Sequence, residues 1–127
     1  MIFAIDVGNT NTVIGCCEDD NIYFRERIST NHTATDLEYA AMFKTAFEMN
    51  GIDITGITGT IISSVVPSVT RNVRLAAEKL TAANAMVVGP GIKTGLSIKI
   101  DNPAQLGSDL VVDAVAGITH YSVPLII

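Results

Sequence analysis

Residues 2–7, Ile-Phe-Ala-Ile-Asp-Val, are apolar except for one carboxylate, and the run reads as a short buried strand. Gly8-Asn9-Thr10-Asn11 is dense in turn formers, and Thr12 to Cys17 resumes a strand. Glu18-Asp19-Asp20-Asn21 is a second turn. Ile22 to Ser29 then sets Tyr23, Arg25 and Arg27 against Ile22, Phe24, Glu26 and Ile28, the alternation of a partly exposed strand. The chain therefore opens as a three-stranded antiparallel meander rather than as a strand feeding a helix.

The period changes next. Thr35 and Glu38 form a capping-box pattern, and Leu37, Ala40, Ala41, Ala46 and Phe47 recur at helical spacing until Asn50-Gly51 supplies a stop. Residues 57–66 read as a buried strand. Pro67-Ser68 opens a second helix to about Ala83, with Val69, Val73, Ala76, Ala77 and Leu80 inward. Ala85 to Val88 is a short strand, Gly89-Pro90-Gly91 and Thr94-Gly95 break the chain, and Leu96 to Ile100 alternates again. A last helix spans roughly Ser108 to Tyr121, and Pro124 to Ile127 reads as the first half of another strand. The order predicts an α/β fold, a mixed sheet with helices packed on it. A chain that stops inside an apolar strand reads as a fragment, because termini more often lie in polar, exposed segments.

Composition narrows the class. At 127 residues the chain is the size of one domain or one lobe, able to bury roughly two-thirds of its unfolded surface. Its apolar share of 48% against 17% charged residues argues for a packed core over disorder. A net charge of −5 lacks the basic face that nucleic acid binding needs, so a DNA or RNA partner is not expected. An acidic chain can still hold a polyanion through backbone N–H groups and a bound cation. No apolar run reaches the ~20 residues that span a membrane. Cys16 and Cys17 are strand neighbours that point to opposite faces, so they read as two small residues in a reducing cytosol. With no basic leader before the first strand, the expected location is cytoplasmic.

Candidate chemistry begins at Asp6-x-Gly8-x-Thr10-x-Thr12. A carboxylate at the end of a buried strand is costly unless paired or bound to a hard cation such as magnesium. Gly8 lets a phosphate approach the backbone, and Asn9, Thr10, Asn11 and Thr12 offer side-chain donors beside their N–H groups. By spacing alone the segment is equally a good hairpin turn capped by Asp6. The sequence has neither the Gly-x-x-x-x-Gly-Lys-Ser/Thr run nor Gly-x-Gly-x-x-Gly between a strand and a helix. Gly89 to Gly95 reads as a structural loop.

Asp6-Val7-Gly8-Asn9-Thr10-Asn11-Thr12 resembles the first phosphate motif of the type III pantothenate kinases, in the acetate kinase/sugar kinase/Hsp70/actin superfamily. Three further stretches agree in order: Ile62-Ser63-Ser64-Val65-Val66-Pro67, Gly91-Ile92-Lys93-Thr94-Gly95-Leu96, and Asp101-Asn102-Pro103-Ala104-Gln105-Leu106-Gly107-Ser108-Asp109. The resemblance implies a ribonuclease H-like N-terminal lobe over residues 1–127, about half the family's length. The second phosphate motif, Asp-x-Gly-Thr-Ala, would begin just after Ile127. It implies ATP-dependent phosphorylation of pantothenate on its primary hydroxyl, the first step of coenzyme A synthesis. A divalent cation such as magnesium, a monovalent cation such as potassium and a homodimer come with it.

In the same resemblance Asp6 organises the metal and phosphates, and Val7, Gly8, Asn9, Thr10, Asn11, Thr12 and Val13 form the ATP-binding turn. Asp109 matches the proton acceptor, in a first helical turn where the dipole stabilises negative charge. Ile100, Gly107, Ser108, Asp109 and Leu110 fall in the pantothenate-binding segments. Two segments depart from the family: Ser108 and Leu110 stand in one that usually reads Gly-Ala-Asp-Arg, and Ile100 stands in another where a tyrosine is frequent. Leu110 thereby lacks a cation that could meet the acidic substrate, and Ile100 lacks a hydroxyl. Asp113, one turn beyond Asp109, reads as a bystander. His32 and His120 read as exposed polar residues, and Arg71 and Arg74 as a solvated face. Some family members carry the older label Bvg accessory factor, so the alternative is a nucleotide-binding regulatory protein without the chemistry.

Overall fold

The computed structural model describes residues 1–89 and 92–127. The strands are β1 (Ile2–Val7), β2 (Asn11–Glu18), β3 (Asn21–Ser29), β4 (Gly59–Ser64) and β5 (Ala85–Val87). The helices are α1 (Asp36–Met49), α2 (Pro67–Thr81) and α3 (Ser108–His120), with short 3-10 turns at Ile54–Gly56 and Pro103–Gln105. One five-stranded sheet runs β3-β2-β1-β4-β5. β1 pairs antiparallel with β2, and β2 with β3, while β4 lies parallel to β1 and β5 parallel to β4. The mixed sheet opening on an antiparallel meander is the architecture that the sequence pattern implies.

Strand alternation sends Phe3, Ile5 and Val7 of β1, with Ile14 and Cys16 of β2 and Ile62 of β4, into one buried core. That core includes Tyr39, Phe43, Ala46 and Phe47 of α1 and Val69, Val73, Ala76 and Ala77 of α2. Phe47 meets Phe3 and Phe24 edge-on, at 5.0 Å and 5.1 Å between ring centres. Such pairs contribute about 0.5–1.5 kcal/mol each beyond their burial.

α1 starts as expected. Thr35 Oγ1 accepts from the Glu38 N–H, and the Glu38 carboxylate accepts from the Thr35 N–H at 2.7 Å. Its inward face differs from the reading: Leu37 and Ala41 are exposed, and Tyr39 and Phe43 are buried instead. The helix carries apolar residues on more than one side, and the sheet selected the aromatic side.

Two expected strands are absent among the described residues. Residues 96–100 and 124–127 are irregular, because an alternating run becomes a strand only where a neighbour pairs with it. The expected break at Pro90-Gly91 lies outside the described residues.

The other sheet face carries Ala4, Asp6, Val13, Cys17 and Ser63. α3 packs there against β4, buries none of its own residues fully and leaves a shallow apolar groove of about 350 Å³ beside Val112. Cys16 faces the core and Cys17 this groove, and both are free thiols.

Candidate active site

The turn between β1 and β2 is closed by the Gly8 N–H, which donates to the Asn11 carbonyl at 3.0 Å. A Cβ on Gly8 would sit 3.0 Å from that same oxygen, so a side chain would push the turn open. The segment after β3 grips the turn from behind. Thr30 Oγ1 donates to the Gly8 carbonyl at 2.7 Å, and the Thr30 N–H donates to the Thr10 carbonyl at 2.9 Å. His32 Nε2 lies 3.1 Å from the Asn9 carbonyl and acts there as a donor. Three successive carbonyls are thus drawn to one side. Among the described residues no acceptor meets the Asn9 and Thr10 N–H groups. Adjacent free N–H groups in a tight turn form an anion-binding concavity.

Thr12 is fully buried, and its hydroxyl lies 2.8 Å from Thr30 Oγ1. Thr30 has one hydroxyl proton and gives it to Gly8, so Thr12 donates to Thr30. Thr12, expected to offer a side-chain donor to phosphate, here directs its hydroxyl to Thr30 behind the turn. Val7 is likewise buried, while Asn9, Thr10 and Asn11 are exposed.

Asp6 is also exposed, which corrects the expectation of a buried carboxylate. It pairs with Val13 on one side and Ser63 on the other, so its side chain stands on the sheet face that α1 and α2 leave open. That face also receives α3. Ser108, the first residue of α3, donates through Oγ to the Ser64 carbonyl at 2.9 Å and accepts from the Ser64 N–H at 2.9 Å. Ser63 Oγ adds a longer contact to the same oxygen at 3.3 Å. Because β1 and β4 run parallel, their C-terminal ends share one edge. The Gly8–Asn11 turn, Asp6 and the N-terminus of α3 gather there.

Asp109 is the second residue of α3, half-buried, with Oδ1 accepting from the Leu110 N–H at 2.8 Å. A Cβ at Gly107 would collide with that Oδ1, the mobile end of the Asp109 side chain, which would have to turn aside. Beside it lies a cleft of about 880 Å³ lined by Ser64, Thr94, Asn102, Gln105, Gly107 and Ser108 among others. Two of the five residues assigned to the substrate, Gly107 and Ser108, line this cleft. Ile100 and Leu110 are 47% and 46% exposed and lie outside its lining, and Asp109 adjoins it through the chain. Among the described residues no three His, Cys, Asp or Glu side chains group as a metal cage. The donor set nonetheless fits magnesium, which keeps several waters and takes one or two carboxylates together with substrate phosphates.

Thr30 and His32 are what sequence reading missed. They lie 22 and 23 residues from the carbonyls they hold, and no local pattern marks such a contact.

Strand, glycine turn and strand, with a helix start delivered to the same sheet edge, make this a mixed α/β lobe with one candidate site at the C-terminal ends of β1 and β4. The profile of the type III pantothenate kinases matches residues 2–127, and the chain belongs to that family. The type III pantothenate kinase of an Exiguobacterium species is 44% identical over all of this chain and 50% of its own length. That of Geobacillus kaustophilus is 46% identical over all of this chain and 49% of its own, and that of Halalkalibacterium halodurans 42% over all of it and 50% of its own. The chain spans about half the length of the curated relatives it matches. Among solved structures, YeaZ from Pseudomonas aeruginosa is similar over 68% of this chain and 42% of its own, with a TM-score of 0.48 and 10% identity.

Proposed function

We propose that this chain is the N-terminal, nucleotide-binding lobe of an ATP-dependent kinase that phosphorylates pantothenate on its primary hydroxyl, the first step of coenzyme A synthesis. The observation that carries the reading is the meeting of the Gly8–Asn11 turn, Asp6 and the Asp109 end of α3 at one sheet edge. Family membership supports it, since the relatives named above are pantothenate kinases.

Phosphoryl transfer requires positioning and charge neutralisation more than a strong base. The Asn9 and Thr10 N–H groups would take phosphate oxygens, and Asp6 would hold the divalent cation, directly or through water. Magnesium, when bound, neutralises charge that develops on the phosphates. The Asp109 carboxylate would take the hydroxyl proton of the acceptor alcohol as the alcohol oxygen bonds to the γ-phosphorus of ATP and the bond from that phosphorus to the departing ADP oxygen breaks. Gly107 and Ser108 border the cleft that would seat that alcohol. Potassium and a homodimer belong to the same reading and rest on the family alone; a cytoplasmic location is proposed with them, from the sequence pattern. Nothing in the comparisons favours the regulatory alternative.

An ADP-release assay with MgATP and pantothenate tests the function, run on this chain and on a protein extended to the length of its relatives. The extended protein is expected to turn over and the 127-residue chain to be inactive. An extended protein that binds ATP but releases no ADP at millimolar substrates overturns the reading.

A further inference from the structure

We propose that Thr30 and His32 are positioning residues for the nucleotide: by holding the carbonyls of Gly8, Asn9 and Thr10, they keep the Asn9 and Thr10 N–H groups turned toward phosphate. The inference rests on the nucleotide-binding reading above and deepens it. It names residues outside the Asp6–Thr12 motif.

A peptide unit carries its C=O and N–H on opposite sides, so fixing one fixes the other. The carbonyls of Gly8 and Asn9 belong to the same planar units as the N–H groups of Asn9 and Thr10. Thr30 Oγ1 holds the first carbonyl at 2.7 Å and His32 Nε2 the second at 3.1 Å. The Thr30 N–H holds the next carbonyl, that of Thr10, at 2.9 Å. Both N–H groups are therefore set by residues just past the end of β3.

The clamp is itself braced. Thr30 is nearly buried, and the Thr12 hydroxyl donates to it from β2, so its rotamer is fixed by a neighbour inside the sheet. Asn31 continues the support. Its carbonyl accepts from the Tyr39 hydroxyl at 2.9 Å, its N–H donates to the same oxygen at 3.1 Å, and Tyr39 is wholly buried in α1. Thr30, Asn31 and His32 thus form a strap pinned at one end to β2 and at its middle to α1. An unbraced glycine turn would sample many orientations, and anion binding would carry the entropy of ordering it.

The test is amide NMR on the 127-residue chain, titrated with MgATP. In the wild-type chain the Asn9 and Thr10 amides are expected to be ordered before ligand and to shift on titration. Thr30→Val keeps the side-chain size and removes the hydroxyl. It is expected to raise backbone mobility at Asn9 and Thr10 and to weaken MgATP binding about tenfold, while amides of β4 and α2 keep their positions. Thr30→Ser restores the hydroxyl and is expected to recover most of both. If Thr30→Val does not fold, His32→Ala reports on the same geometry, because that side chain is exposed. Loosening at the Asn9–Thr10 unit with weaker binding supports the inference. A folded variant whose Asn9 and Thr10 amides stay ordered and whose MgATP affinity is unchanged overturns it and leaves the nucleotide reading standing. A wild-type chain with no shift at Asn9 or Thr10 overturns the nucleotide role of the turn, and the inference with it.

Discussion

Ser108 Oγ is bonded to both polar atoms of the Ser64 backbone, each at 2.9 Å. One hydroxyl thereby fastens the start of α3 to the end of β4 and delivers Asp109 to the edge where the Gly8–Asn11 turn lies. Ser108→Ala is expected to lower stability by about 1–2 kcal/mol, the worth of one or two partly buried hydrogen bonds. Urea denaturation measures it. An unchanged midpoint would mean that packing of α3 on β4 already fixes the helix start.

Thr60 Oγ1 is buried with no hydrogen-bond partner among the described residues. The residue pairs with Phe3 and sits 4% exposed in the sheet. Its hydroxyl gave up water and gained nothing in return, which costs about 1–3 kcal/mol. Thr60→Val matches the volume without the polar atom. Stability is expected to rise by about 1 kcal/mol, read as a higher melting temperature. A lower one would reveal a partner for the hydroxyl in solution.

Asp109→Asn tests the proton acceptor. In a protein extended to the length of its relatives, turnover with pantothenate is expected to fall about 10²–10⁴-fold, the usual contribution of a positioned base. ATP affinity should stay nearly unchanged. Parallel loss of both would assign Asp109 a structural role at the helix start.

Acid should destabilise the fold through its exposed carboxylates. The Thr35 backbone N–H, then its hydroxyl, hold Glu38 below its ordinary value of 4.5. Lys79 holds Asp36 below 3.8 through a hydrogen bond, and the N-terminal amine does the same for Glu18 relative to 4.5. A carboxylate depressed in the folded state stabilises fully above its unfolded value, and that stability is lost as pH falls through the lower folded value. Melting temperature is therefore expected to fall as pH drops below the ordinary carboxylate values of 4.5 and 3.8. Glu38→Gln keeps a side-chain acceptor for the capping box without the charge. It should shrink that drop, and a pH profile identical to wild type would exclude Glu38 as a contributor.

Local signals were legible where the physics is local. The α1 start could be read because Thr35 and Glu38 are one helical turn apart, so their reciprocal bonds depend on nothing else. The meander could be read because each turn is short and each strand alternates. The phosphate turn was legible as a motif only, since Gly-Asn-Thr-Asn serves equally as a plain hairpin. The alternation at 96–100 misled because pairing is a property of a neighbour. The burial of Tyr39 and Phe43 in place of Leu37 and Ala41 depended on which side of α1 met the sheet.

By itself the sequence determined the order of β1 to β5 and of α1 to α3, the glycine turn after β1, the cap of α1 and the family, because each is written in contiguous or regularly spaced residues. Tertiary structure alone decided that Asp6 stands exposed and that Ser108 ties α3 to β4. It also decided that Thr30 and His32 stand behind the phosphate turn. Those contacts span 22 to 44 residues. They exist only once the sheet has closed, when chain separation ceases to predict distance.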